Sequence, residues 1–465
     1  MIEDGDRTSA PPAGRVRRGV KLGRVAVRHA ARTTANAARS RFQEDEESRR
    51  ARDAAILALA DDMVTVLGGM RGAAMKLGQL LAVIDLGISS PRVREQFAAR
   101  LAPLLDAAPR WNDAQMLAQL DKELAGRRRR IVDLEGPVAA ASIGQVYKGV
   151  LDDGRVVAVK VQYPKVDMMV RADLKNMRLL MASLSKYFPA ANAKALAGEI
   201  SKQVLAELDF VSELRNQTYF ADVFEGHPTI VVPRPVPELS TGRVLVTEFV
   251  DGQPFGTAQG LDRDSRNWIG EAIYRFYCGE MYRTGRFCAD PHPGNVLLLG
   301  EGRVAFVDFG MCIELTPDEH RFERELFEAV LNGDHDRVHE MAVLGGFIGR
   351  PDVMGAEDLT SFIDQVVGWH LKDAEVEVTA ELAREAVVAA VLPQGGFYDR
   401  FEGQKLQEAH ALGRRTEMST VALLGDLNAT APWRAIACEV LGMGGPATHM
   451  GREIAAWRSG RQESR

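Results

Sequence analysis

Apolar residues at Met63, Leu67, Met70, Ala74, Leu77 and Leu81 recur at steps of three and four, the spacing of one apolar helical face. Gly68, Gly69, Gly72 and Gly78 fall inside that stretch. Glycine is costly in a helix, so close packing against another element is the expected compensation. Residues 91–124 keep a helical pattern. After Arg127–Arg130 the rhythm changes to short valine-rich runs at 131–134, 146–150 and Val156–Gln162, with Asp152-Asp153-Gly154 between the last two. That is a strand–turn–strand signal. Helical patterns return at 166–188 and 196–224, strand candidates at 229–232 and 243–250, and beyond Asp262 the pattern is mostly helical except near 286–312.

A small sheet-plus-helix lobe followed by a larger helical lobe predicts an α+β, two-lobe arrangement. The expected organisation is a basic, partly disordered segment at 1–50 and a helical extension at 51–125. A small lobe at 126–254 and a large lobe at 255–465 follow, and residues 350–465 read as helical filler without a site. No internal repeat of fixed period is visible.

Composition narrows the class. The chain has 465 residues, 46% hydrophobic, with a net charge of −6, so it is globular and gives no global signal for nucleic acid. Its charge is uneven: residues 15–43 contain no Asp or Glu but hold Arg15, Arg17, Arg18, Lys21, Arg24, Arg28, Arg32, Arg39 and Arg41. Two readings stay open for that segment, a solvated tail or peripheral attachment to an anionic membrane surface. The N-terminus lacks a signal-peptide core and no run reaches the roughly 18 apolar residues of a membrane span. The expectation is a cytoplasmic protein, with the inner membrane face as the alternative location. Cys278, Cys288, Cys312 and Cys438 form no metal-binding spacing and read as reduced thiols.

The strongest chemical signal is Asp290-Pro-His-Pro-Gly-Asn295, followed by Asp308-Phe309-Gly310. Phosphoryl transfer needs a carboxylate near the attacking group and oxygen ligands that hold Mg²⁺ on nucleotide phosphates. Asp290 fits the first role, Asn295 and Asp308 the second. Residues 296–299 and 304–307 read as a hairpin around Gly300-Glu301-Gly302 that presents both sites. Lys160 closes a valine-rich strand and could reach the phosphates if a carboxylate fixes it; Glu213 is the candidate. Upstream, where a kinase carries a glycine-rich loop, the chain reads Ala139-Ala140-Ala141-Ser142. Backbone amides there can still face phosphates. Glu248, at the end of a strand, would offer its backbone to adenine. The ligands so read are ATP and Mg²⁺.

With these motifs in order, the chain resembles the UbiB (AarF-domain) family of atypical kinases, over roughly residues 55–350. The family's K-x-G-Q motif is similar to Lys76-Leu77-Gly78-Gln79, its alanine-rich loop to Ala139–Ser142, its E-x-D motif to Glu207-Leu208-Asp209. The resemblance implies a protein-kinase-like fold whose N-terminal helical extension covers the cleft, with Lys76, Gln79, Glu207 and Asp209 regulatory. It also implies a link to quinone or other isoprenoid lipid metabolism and a lipid-like small-molecule partner. One departure is Cys288, where His is frequent two positions before the catalytic Asp. If the helix over 196–224 is regular, Glu207 and Asp209 cannot share a face.

After Gly310 only Met311 to Leu315 precede Thr316-Pro-Asp-Glu319, a helix start. That leaves no room for the long segment on which protein kinases dock peptides. The functional reading is an ATP-dependent phosphotransferase or ATPase that is not a conventional protein kinase. The alternatives are a non-catalytic nucleotide-responsive module at the membrane, and a small-molecule phosphotransferase of the aminoglycoside or choline kinase type.

Overall fold

A computed structural model of the chain describes residues 111–184 apart from 142, then 204–391 and 406–463, with parts of 53–101 and residues 198, 201 and 202. The basic segment, Lys76, Gln79 and Ser142 lie outside the described residues.

In chain order, helices α1 (Pro91–Leu101) and α2 (Asp113–Leu124) precede strands β1 (Ile131–Ala140), β2 (Gly144–Leu151) and β3 (Val156–Gln162). Helices α3 (Val166–Leu184) and α4 (Phe210–Val223) lead to β4 (Ile230–Val231), β5 (Val244–Glu248) and β6 (Gln253–Pro254). Helix α5 (Arg263–Tyr274) runs through a π-helical turn, Arg275–Gly279, into α6 (Glu280–Thr284). Four short strands follow: β7 (Arg286–Cys288), β8 (Val296–Leu298), β9 (Val304–Phe306) and β10 (Cys312–Glu314). The rest is mainly helical, including α7 (Pro317–Asn332) and a later helix, Glu408–Leu427.

Contacts divide the chain into two compact units. One holds the described residues up to Val211 together with Val236–Glu248; the other holds Ser212–Pro235 and the described residues from Phe249 onward.

The first unit is built on a four-stranded antiparallel sheet in the order β1-β2-β3-β5. Valine alternation makes β3: Val157, Val159 and Val161 are buried on one face, which puts Lys160 on the other. The expected Asp152-Asp153-Gly154 turn is present. Gly154 takes φ +85°, and Asp153 accepts hydrogen bonds from the Arg155 amide and guanidinium.

Two expectations need correction. The alanine-rich segment is not wholly a loop: Ala139 and Ala140 belong to β1 and pair with Val146 and Gln145. A tight turn then follows, closed by Ala141 N–H on Gly144 O at 2.8 Å. At Gly144 a side chain would meet the Val161 carbonyl at 2.3 Å, so the strand entry needs glycine. The predicted helix over 196–224 is also interrupted. Helical residues end at Ala206, a turn occupies Glu207 and Leu208, and α4 restarts at Phe210. Regular helical geometry therefore does not govern Glu207 and Asp209.

In the second unit, β4-β9-β8-β6 form a small sheet and β7 pairs antiparallel with β10. The expected hairpin is β8–β9. Its core is aromatic: Phe276 stacks on Phe306 with centroids 3.7 Å apart, and Phe309 packs on Phe220 at 5.5 Å. Helix α7 starts as predicted, with Thr316 and Glu319 forming a reciprocal capping box and Pro317 in the first turn.

Candidate functional site

In the first unit, Lys160 projects from β3 with its ammonium 5.1 Å from the Phe210 ring centroid. Two residues on, the buried side chain of Gln162 donates to Leu208 O at 2.9 Å. That bond fixes the turn bearing Glu207 and Asp209 beside the end of the strand bearing Lys160. Glu207 is half-buried and Asp209 exposed. A second buried amide, Gln145, accepts from Trp111 N–H at 2.6 Å and donates to the Tyr147 hydroxyl at 3.0 Å. Tyr147 in turn donates to Asp113 at 3.1 Å, which secures α2 to β2 behind the alanine segment. Burial, with the Asp113 carboxylate beside it, pushes the Tyr147 hydroxyl up, so it stays a donor. Glu248 ends β5, opposite Val157, at the point where the chain leaves the first unit.

In the second unit, α4 carries Glu213, Asn216, Gln217 and Phe220 at helical spacing, all buried. Phe220 packs on the Phe309 ring and Asn216 donates to Phe309 O at 3.0 Å. Glu213, one turn earlier, is thereby delivered to the Asp308-Phe309-Gly310 segment. A Cβ placed at Gly310 would lie 3.3 Å from Asp308 Oδ1 and 3.8 Å from Glu213 Oε2, so both carboxylates approach one point. Gly310 N–H donates to Asp308 Oδ1 at 3.0 Å and sets its rotamer.

Asp290 and Asn295 come together on the loop between β7 and β8. Asn295 Nδ2 donates to Asp290 O at 3.2 Å, which orients the amide oxygen away from that carbonyl. His292 Nδ1 accepts from Gly294 N–H and shapes the turn. The neighbouring loop is tied on by Val307 N–H to Asn295 O at 3.1 Å. The structure thus brings Glu213, Asp290, Asn295 and Asp308 onto connected segments of one unit, and Lys160 with Glu207 and Asp209 onto connected segments of the other. Among the described residues no cluster of three His, Cys, Asp or Glu could hold a metal by itself. One carboxylate and one amide oxygen are nevertheless a donor set that suits Mg²⁺, which keeps waters and takes phosphate oxygens.

The sequence reading missed Arg415. Far from being filler, the helix Glu408–Leu427 places the Arg415 guanidinium 3.4 Å from Asp290 Oδ1. A signal existed: Arg415 has Ala411, Leu412, Met418 and Ser419 at its i±3 and i±4 positions, so no acid stands at the spacing of an intrahelical pair. Next to it, Arg414, Glu323, Glu417, His410 and Tyr282 form a buried network that holds this helix on α6 and α7. Cys288, at the position where His is frequent in the resembled family, is buried, and its thiol is pushed well up by burial. A separate cavity of about 400 Å³, lined by residues such as His335, Thr360 and Asp364, includes none of the predicted site residues. No helix among the described residues is long and apolar enough to cross a membrane.

Comparison with known proteins agrees with the motif order. The rat protein named atypical kinase COQ8B, mitochondrial, is 34% identical over 62% of this chain and 55% of its own length. The chicken AarF domain-containing protein kinase 1 is 30% identical over 70% of this chain and 63% of its own. This chain spans about half the length of the curated relatives it matches. A solved Mycobacterium tuberculosis structure, Rv3197 in complex with erythromycin, superposes with a TM-score of 0.59 at 28% identity. That superposition covers 84% of this chain and 97% of the other. Residues 103–342, about half of the chain, match the ABC1 atypical kinase-like domain, and the chain belongs to that family of kinase-like proteins, also known as UbiB or AarF.

Proposed function

We propose that this chain is an ATP-dependent enzyme of the atypical kinase kind, acting on or responding to a lipid-like molecule of quinone metabolism. The observation that supports it most is the convergence of the Glu213 and Asp308 carboxylates at Gly310, with Asn295 anchored to the Asp290 loop. Asn295 and Asp308 would hold Mg²⁺, which when bound neutralises phosphate charge. Lys160 would bind phosphate oxygens, and the segment of Ala139, Ala140, Ala141 and Ser142, whose Ala141 amide is held by Gly144 O, would lie along the same groups. Glu248 would meet adenine through its backbone, and Asp290, steadied by Arg415, would orient the acceptor hydroxyl or a water. In this reading the two units are the two lobes of a kinase fold. By the family resemblance, residues 51–125 would be the family's helical extension, with Lys76, Gln79, Glu207 and Asp209 in a regulatory role. The short link from Gly310 to Thr316 supports a small acceptor over a peptide. The basic residues of 15–41 would bring the protein to an anionic membrane surface.

The test is magnesium-dependent ATP turnover by the purified chain, with and without anionic liposomes and a quinone-head-group analogue. Asp308→Asn should lower turnover on the order of a hundredfold or more while leaving the melting temperature unchanged. Equal turnover in wild type and Asp308→Asn would sink the reading. A second reading, a non-catalytic nucleotide-responsive module, is favoured by one feature: buried Cys288 stands where a histidine would prop the catalytic loop. A thermal shift with magnesium–ATP but no turnover would select it. The macrolide in the mycobacterial neighbour makes erythromycin a further ligand for the same thermal-shift assay.

A further inference from the structure

The two strands that frame the site's loops bring two thiols face to face. β7 ends at Cys288, two residues before Asp290, and β10 begins at Cys312, two residues after Gly310; the two are register partners. Ladder hydrogen bonds run from Ala289 N–H to Met311 O at 2.7 Å and from Leu315 N–H to Gly285 O at 2.8 Å. Bonded and non-bonded pairs alternate in an antiparallel ladder, so Cys288 and Cys312 occupy a non-hydrogen-bonded pair, the class with Cα atoms only about 4.5 Å apart. That separation falls just inside the range of roughly 4.4–6.8 Å that a disulfide accepts. The two Sγ atoms are already 3.1 Å apart.

Access to the pair is unequal. Cys288 is 3% exposed, whereas Cys312 is half-buried. Of the other two cysteines, Cys278 is buried elsewhere in the same cluster that holds Cys288, and Cys438 packs against a separate one around Met281 and Leu441.

We propose that Cys288 and Cys312 form an oxidisable dithiol that closes to an intramolecular disulfide with a peroxide-class, two-electron oxidant. Cys312, the accessible thiol, attacks the peroxide: an S–O bond forms, the O–O bond breaks, and one water leaves. Cys288 then attacks the Cys312 sulfur. The S–S bond forms, the S–O bond breaks, and hydroxide departs with the Cys288 proton as a second water. Two thiols are oxidised and one hydrogen peroxide is reduced to two waters. Closure covalently joins the strand entering Asp290 to the strand leaving Gly310. It also removes the thiol hydrogen with which Cys312 approaches Phe309 O at 3.5 Å. The site stands whether or not the chain turns over nucleotide.

The experiment uses the full chain, reduced and desalted, then treated with hydrogen peroxide, blocked with iodoacetamide and mapped by tryptic mass spectrometry. Cleavage after Arg286, Arg303 and Arg321 puts the two cysteines on separate peptides. The expected product is those two peptides joined, with the protein lighter by two hydrogens and restored by dithiothreitol. Cys278 and Cys438 should remain alkylatable. Cys288→Ser should leave Cys312 to advance to the sulfinic acid for want of a resolving partner, and Cys312→Ser should leave Cys288 reduced. The proposal is overturned if wild-type Cys288 and Cys312 both stay alkylatable under peroxide that oxidises free glutathione. It is equally overturned if Cys312 reaches the sulfinic acid in wild type, or if it links to Cys438 or to a second chain.

Discussion

The two units hold their candidate site residues by different means. In the first, position comes from strand register and buried amides: β3 sets the side of the sheet from which Lys160 projects, and Gln162 grips the turn of Glu207 and Asp209. In the second, Asp290, Asn295 and Asp308 sit on loops, where no repeating ladder places them. There an aromatic cluster seats Phe309, and hydrogen bonds from the Asn216 and Asn295 amides to backbone oxygens and from Gly310 N–H to Asp308 do the rest. A sheet fixes a residue through its neighbours in sequence, whereas a loop must be fixed from across the fold.

That contrast can be broken most severely at Phe309. It is fully buried against Phe220 and Phe276, so Phe309→Ala should cost about 3–5 kcal/mol. Urea unfolding should register that loss, while emission from Trp111, the only described tryptophan in the first unit, should keep its native value at low urea. An early change at Trp111 would deny that the two anchoring systems are separable. The matching change in the first unit is Gln162→Leu, which leaves the Leu208 carbonyl without its buried donor. It should cost about 1–3 kcal/mol and weaken magnesium–nucleotide binding through the displaced Glu207–Asp209 turn. Unchanged stability would mean that register alone holds that turn.

Acid should separate the units in a third way. Every described histidine lies in the second unit. Burial pushes both His227 and His370 down to about 3, and nearby Arg458 and Arg275 add to the effect at His227. Folded, these rings stay neutral; unfolded, they take up a proton below about 6.5. The unfolded state then binds more protons, so stability is complete above that value and falls as pH drops from about 6.5 toward 3. The slope is about 1.4 kcal/mol per unit for each histidine. Urea midpoints at pH 7 and pH 5 should show it, and His227→Gln should reduce the slope. A flat response would contradict the neutral burial of both rings. The smallest effect is expected at Arg415, which is partly exposed. Arg415→Met should lower turnover by about tenfold with melting unchanged, and Arg415→Lys should recover most of it. Equal rates in all three would remove Arg415 from the site.

Much of this was legible in the chain itself, and for identifiable reasons. β3, the β8–β9 hairpin and the start of α7 follow local rules of alternation, turn chemistry and capping, and each was read within a residue or two. The motifs at Asp290 and Asp308 were visible because their spacing is short. What escaped depended on distant partners. Ala139 and Ala140 look like loop until their pairing with Val146 and Gln145 extends β1. The helical pattern through Glu207 gives no warning of the break that Gln162 stabilises. Arg415 is linked to Asp290 across 125 positions, a separation no local pattern encodes.

The brevity of the stretch from Gly310 to the capping box at Thr316 constrains how such a protein can be governed. Where protein kinases thread a pliable strap that a phosphate can pin or release, this chain turns directly into a β-strand and then a helix. A throttle of that sort has nowhere to be installed. Control would have to act on what enters the site or on the strands that border it.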